Sequence, residues 1–296
     1  MFKFGSRSLK NLEGVHPELV EICNMAIKRT STDFGISEGV RSLERQKKLK
    51  AEGRSLTLNS MHIPQKDGFI LTSNRDEAKS RKFASFPAYK EINEQKVLFP
   101  QDGDAFGSWI ASSNKRLVNL LNGAWEKYKH QPPYRKSRGI VLLESFEYDE
   151  LKEFAYDYNF DNIAPFTLVG LDYKSHLKME VLRWDGKSIS YKEINPNEAH
   201  IFSSAPLYPE HIRLEREKLF AKFLHDNEQI TASEMVNFHQ FGGNDNAPIK
   251  LSEDHFVHTI SITSVVKNGR ELSMKYHDLI QNEVKMESLQ NLKFER

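Results

Sequence analysis

The sequence predicts an α+β fold, and three observations carry the prediction. Residues 179–184 and 188–193 read as strands joined by Asp185-Gly186-Lys187, a strong hairpin signal. Residues 231–238 read as a helix, with Thr231 three positions before Glu234 in a capping-box pattern. Residues 69–71 form a short apolar run entered from a turn at Asp67-Gly68, the pattern of a buried strand.

Composition narrows the class. The chain has 296 residues, 39% hydrophobic and 28% charged, which allows one large domain or two small ones with ample core. A net charge of +1 gives no electrostatic footprint for nucleic acid. The single cysteine, Cys23, excludes an internal disulfide and favours a reducing compartment. The first residues lead into no apolar signal segment, and no run approaches a membrane span. The expectation is a soluble, cytoplasmic protein without a transmembrane segment; its oligomeric state is not legible.

The elements follow in order. Residues 1–62 carry 11 Lys and Arg against 7 Asp and Glu, while the remainder is net acidic. Within them, residues 17–29 predict an amphipathic helix, with Pro17 in its first turn and Leu19, Ile22, Cys23, Ala26 and Ile27 on one face. Cys23 then reads as a small core residue. Phe34-Gly35-Ile36 is a candidate strand. Ser42 is a candidate cap for a helix over 43–52, ended by Gly53. Residues 56–62 read as strand or loop.

Further on, residues 109–113 and 116–121 predict a hairpin with Ser113-Asn114-Lys115 at its tip, and Asn122-Gly123 a turn at its end. Residues 139–146 and 149–158 predict helices; 166–171 and 200–203 predict strands. Residues 209–225 predict a long charged helix, Gly242-Gly243-Asn244-Asp245-Asn246 a loop, and 256–265 with 271–276 a closing strand pair. The charged tail 290–296 is expected to fray.

Chemistry concentrates where the first buried strand ends. Asn74, Arg75, Asp76 and Glu77 place an amide, a guanidinium and two carboxylates in a row. They suit either a hydrogen-bonded site floor or a surface turn with an ion pair. Asn74-Arg75-Asp76-Glu77 resembles the signature of the NRDE family, also called the transport and Golgi organisation protein 2 family. The resemblance continues in the family's order through Trp109-Ile110, Arg116 to Asn122-Gly123, Tyr134-Arg135 with Ser137-Arg138-Gly139, Pro165-Phe166-Thr167 and Ser261-Ile262-Thr263-Ser264. It covers residues 63–289.

That resemblance implies two stacked, mainly antiparallel sheets between helical layers, the αββα arrangement of N-terminal-nucleophile hydrolases. In such enzymes the first residue's thiol or hydroxyl attacks an amide carbonyl, and its α-amine, with a pKa of about 7.7–8.0, takes the proton. By resemblance Asp76 matches the carboxylate that would meet the amine, and Asn74 a site-floor amide or a structural hydrogen-bonding group. Asn122 fits an oxyanion donor. Arg75 would brace Asp76 or Glu77, and both Arg75 and Glu77 count as binding residues. The family's initiating cysteine has no counterpart, because Leu58 holds that position. The implied protein is therefore a degenerate amide hydrolase acting in binding or trafficking, with a small amide or hydrophobic ligand and no cofactor. The alternative is an active C–N hydrolase after processing that exposes Thr57 or Ser60.

Residues 1–62 resemble a different family. Phe2-Lys3-Phe4-Gly5, then Phe34-Gly35-Ile36-Ser37-Glu38-Gly39-Val40-Arg41, Gln46, Gly53 and Ser60-Met61-His62 are similar to the start of phage-type L-alanyl-D-glutamate endopeptidases. Those are zinc enzymes with the pattern Ser-x-His-x-x-Gly-x-Ala-x-Asp. Ser60 and His62 fit it, but Phe69 stands where the second ligand belongs. One ligand of about three is too few for a catalytic zinc, so no metal site is expected beyond His62, and a cell-wall peptidase is the weaker alternative. The expected organisation is a truncated peptidase-like leader over 1–62, an αββα domain over 63–289 and a tail over 290–296. Residues 56–62 are expected to fill the strand position next to residues 69–73, which would otherwise be an unpaired edge.

Overall fold

Two antiparallel sheets lie face to face in the larger unit of this computed structural model. The structure describes residues 2–13, 15, 17–37, 48, 68–227, 230–269 and 271–289. The chain divides into two compact units, Met1–Lys66 and Asp67–Arg296.

The smaller unit contains helices α1 (Ser6–Leu12) and α2 (Pro17–Arg29). Helix α2 spans the expected residues, but its expected apolar face is not the buried one. Ile27 is buried, whereas Leu19, Ile22 and Ala26 are exposed. A unit this short has few apolar partners to offer a helix. Phe34-Gly35-Ile36 is not a strand. Its backbone bonds to side chains of α1 instead: Ser8 Oγ accepts from Ile36 N–H, and Asn11 donates to the Ile36 carbonyl. The expected helix over 43–52 and the expected strand over 56–62 fall outside the described residues, Lys48 apart.

The larger unit begins with β1 (Gly68–Ala78), β2 (Ser85–Ile92), β3 (Gln95–Gln101), β4 (Ile110–Ser112) and β5 (Arg116–Asn122). Helices α3 (Arg138–Glu144) and α4 (Leu151–Asp157) follow, linked by a short 3-10 turn. Next come β6 (Phe166–Asp172), β7 (Lys178–Trp184) and β8 (Ile189–Ile194), then helices α5 (Glu210–Asp226) and α6 (Ala232–Phe241). Strands β9 (Val257–Asn268), β10 (Glu271–Asp278) and β11 (Glu283–Leu289) complete it. Among the described residues one sheet runs β1-β9-β10-β11 and the other β2-β3-β4-β5-β6-β7-β8.

Period-two alternation builds the layers. On the central strands of the larger sheet, Leu98, Ile110, Leu117, Val169 and Leu171 point inward to meet Val265, Met274 and Tyr276 of the smaller sheet. Their neighbours Val97, Val118, Leu168 and Leu182 point outward against Val141, Leu142 and Phe154 of α3 and α4. Helix α6 packs across β1 and β9 on the far side of the smaller sheet. The order of layers is therefore helix, sheet, sheet, helix, the αββα arrangement expected.

Local signals are realised where the sequence announced them. Trp184 pairs with Ile189 across the Asp185-Gly186 turn, with Gly186 at φ +99°. Thr231 Oγ1 accepts from Glu234 N–H while the Glu234 carboxylate accepts from Thr231 N–H, completing the capping box. Residues 200–203 are not a strand; Ile201 to Ser204 run beside the cavity described next. Among the described residues no helix is long and apolar enough to cross a membrane.

Candidate functional site

Strand β1 is the spine of a cavity of about 760 Å³. Every residue from Phe69 to Glu77 lines it, so both faces of the strand contribute. Among the described residues β1 pairs with β9.

The inner face, toward the facing sheet, carries Phe69, Leu71, Ser73 and Arg75. The Arg75 guanidinium lies 4.3 Å from the centre of the Trp109 ring and pairs with Asp102. Arg81 pairs with the same carboxylate at 2.8 Å. Burial alone would raise Asp102, but hydrogen bonds from Arg81 and from Ala105 N–H, with both arginine charges, outweigh it and hold the carboxyl below its ordinary range. Arg75 therefore does not brace Asp76 or Glu77 as expected. Alternation turns it away from Asp76, and a distant carboxylate meets it instead. Three buried polar atoms of the inner wall have no partner among the described residues: Arg75 Nη1, Trp109 Nε1 and Asn119 Oδ1.

The outer face, toward α6, carries Ile70, Thr72, Asn74 and Asp76. Asn74 donates to the carbonyls of His239 (3.3 Å) and Ile249 (3.0 Å), and its Oδ1 lies 2.9 Å from His239 Nδ1. Burial and the Arg216 charge push His239 down to about 4, so its ring is neutral at pH 7. Asp76 accepts from Tyr208 OH at 2.9 Å and from Thr259 Oγ1 at 2.6 Å. A register shift opposite Arg75/Asp76 makes the second bond possible. Arg75 pairs with Ser261 and Asp76 with Thr259, so Ile260 is the extra residue. The bulge brings Thr259 to the face that Asp76 occupies. Arg216 stacks 3.8 Å from the centre of the Tyr208 ring and donates to the carbonyls of Pro248 and Ile249, locking the helical layer over this face.

Asn122 closes β5 at the cavity. Its backbone carbonyl accepts from Ser204 Oγ, while its side-chain amide has no partner among the described residues. Gly123 follows at φ +78°, and a Cβ there would lie 2.4 Å from Pro206 Cδ, so only glycine fits this turn. Glu77 also lines the cavity, and its charge helps to raise Arg81.

The structure thus gathers Asn74, Arg75, Asp76, Glu77 and Asn122 around one cavity, with Asn74 and Asp76 on the opposite face of β1 from Arg75. Sequence reading missed His239, Tyr208, Thr259, Asp102 and Arg216. No local pattern marks them, since each reaches β1 from a distant segment. Cys23 belongs to the other unit, His62 lies outside the described residues, and no group of three metal-ligating side chains occurs among the described residues.

Comparison with known proteins gives two family matches. The model of the family "Transport and Golgi organisation 2" matches residues 56–268, and that of "Phage L-alanyl-D-glutamate peptidase" matches residues 1–97. No curated protein matches. Among solved structures, a variant of conjugated bile acid hydrolase from Clostridium perfringens is similar at 11% identity and TM-score 0.43, covering 76% of this chain and 91% of that one. Penicillin V acylase from Agrobacterium tumefaciens is similar at 10% identity and TM-score 0.42, covering 74% and 81%.

Proposed function

The chain belongs to the Transport and Golgi organisation 2 family, and from that premise we propose that it holds a small amphipathic ligand in the β1 cavity without cleaving it. One observation carries the reading. Two of the polar side chains that hydrolysis would recruit, Asp76 and Asn74, are already hydrogen-bonded within the protein, whereas the oxyanion-donor candidate Asn122 is not. Each Asp76 oxygen accepts one hydrogen bond, from Tyr208 and from Thr259, and both Asn74 amide hydrogens go to backbone carbonyls. The one strong base candidate on that face, His239, is held near 4 and is a poor proton acceptor at pH 7.

What remains free suits binding. The Asn122 amide, and the unpartnered atoms of Arg75, Trp109 and Asn119, offer hydrogen bonds to a carbonyl or amide group. Leu71, Val169, Leu171 and Met179 offer an apolar wall to an acyl or ring portion. The role is that of a carrier or sensor, in keeping with binding or trafficking.

The test is equilibrium binding of a panel of N-acyl amides and fatty acids to the purified full chain, with products followed by chromatography. Saturable binding without turnover is expected, weakened about fivefold to tenfold in Asn122→Ala. Steady release of amine from an acyl amide, abolished in Asp76→Asn, would instead establish the hydrolase reading.

A further inference from the structure

A second concavity lies on the other side of the 201–208 segment. It has a volume of about 850 Å³ and shares Leu121, Ile201, Phe202, Ser203, Leu207 and Tyr208 with the first. Its charged lining is mixed, with Lys127, Arg183 and Arg213 against Glu126, Glu210 and Glu217. Arg183 projects from β7 and Arg213 from α5, and both line it together with Trp125. The Arg183 guanidinium lies 4.2 Å from the centre of the Trp125 ring, which is 47% exposed.

Neither arginine has a carboxylate partner or a side-chain hydrogen bond among the described residues. Arg213 Nε is buried with nothing to donate to. Glu126, Glu210 and Glu217 line the same concavity, yet none forms an ion pair with either arginine. Burial pushes the Arg183 guanidinium below its ordinary range, and the neighbouring Arg213 charge pushes it further. Elsewhere in the unit buried arginines find partners for part of each guanidinium: Arg75 in Asp102, Arg116 and Arg216 in backbone carbonyls, with Arg75 Nη1 and Arg116 Nη1 left over among the described residues. Two guanidinium groups that share a half-buried wall repel each other, and arginine cannot shed its proton to relieve this.

We propose that the Arg183–Arg213 wall beside Trp125 is a binding site for a phosphate group. A phosphate carries close to two negative charges and several acceptor oxygens, enough to engage two planar donor forks together. Trp125 holds Arg183 by stacking on its face, which leaves the guanidinium N–H groups at its rim free to donate. The phosphate has two natural sources, a soluble phosphate ester or a lipid headgroup.

Tryptophan fluorescence and thermal unfolding of the full chain are followed during titration with inorganic phosphate, against chloride at matched ionic strength. Co-flotation is measured in parallel with phosphatidylcholine vesicles, with and without phosphatidic acid. Saturable phosphate binding that raises Tm is expected, about tenfold weaker in Arg183→Gln and in Arg213→Gln. Flotation that needs phosphatidic acid and both arginines, without a response to free phosphate, assigns the site to a lipid headgroup and also supports it. The proposal is overturned if the wild-type chain shows no saturable response to either probe. It is equally overturned if both variants respond as the wild type does.

Discussion

The two faces of β1 treat neighbouring residues in different ways. On the inner face, Arg75 is answered by charge: Asp102 bridges it to Arg81 beside Trp109. On the outer face, one residue on, Asp76 is answered by neutral hydroxyls of Tyr208 and Thr259, and Asn74 by His239. The difference follows from what each face meets. The inner face lies against a second sheet whose core is apolar, where an unpaired charge is costly. The outer face meets a helical layer and loops that supply hydroxyls, an imidazole and free carbonyls. A four-residue motif thereby ties together two separate layers of the fold around one cavity.

The largest expected effect lies on the inner face. Arg75→Ala leaves Asp102 with Arg81 as its one side-chain cation and removes the stacking on Trp109. A loss of about 3–5 kcal/mol in urea unfolding is expected. A loss below about 1 kcal/mol would mean that Arg81 alone neutralises Asp102.

The faces also separate by pH. His239 sits near 4 when folded against an ordinary value of 6.5. Between those values the unfolded chain binds a proton that the folded chain refuses. Stability therefore falls as pH drops from about 6.5 to about 4, by about 3 kcal/mol in all. Asp102, held below its ordinary 3.8, contributes stability above that value and loses it as pH falls further. Urea midpoints at stepped pH are expected to show the higher window shrink in His239→Gln to the part that His277 contributes, since burial and the Lys275 charge also lower His277, and the lower window persist. Loss of both windows together would mean that the two faces titrate as a unit.

Smaller effects sharpen the outer face. Thr259→Val removes one of the two donors to Asp76 and is expected to cost about 2 kcal/mol, since the acceptor is ionised. Thr231→Ala removes the cap of α6, the helix that carries His239. It is expected to cost about 1 kcal/mol by thermal unfolding. If Thr231→Ala also loosens the His239 pH window, the helix end and the β1 network are coupled.

Legibility followed local signal strength. The β7–β8 hairpin was readable because Asp185-Gly186 marks its turn, and α6 because Thr231 and Glu234 mark its start. Strands β2, β3 and β11 carried no such mark. Strand β2 contains Pro87 and is mostly exposed, β3 contains Pro100, and β11 is polar and exposed along nearly its whole length. Each exists because a neighbouring strand offers it a ladder. Residues 200–203 show the reverse. Ile201 and Phe202 form a short apolar run, but no described strand pairs with them, and they wall the cavity instead.

The fold class, the family, the place of the Asn74-Arg75-Asp76-Glu77 motif near the end of a strand and the glycine turn after Asn122 were legible in the sequence, although that strand is half-buried and not buried as its apolar run suggested. These rest on periodicity, turn chemistry and ordered motifs, which act over a few residues at a time. Which group answers each motif residue was settled by packing. Asp102 meets Arg75 across 27 positions, His239 meets Asn74 across 165, and Thr259 meets Asp76 across 183, through a bulge. Side-chain pairing at such separations is set by how sheets and helices stack and by the register of β1 against β9. No stretch of sequence encodes either locally.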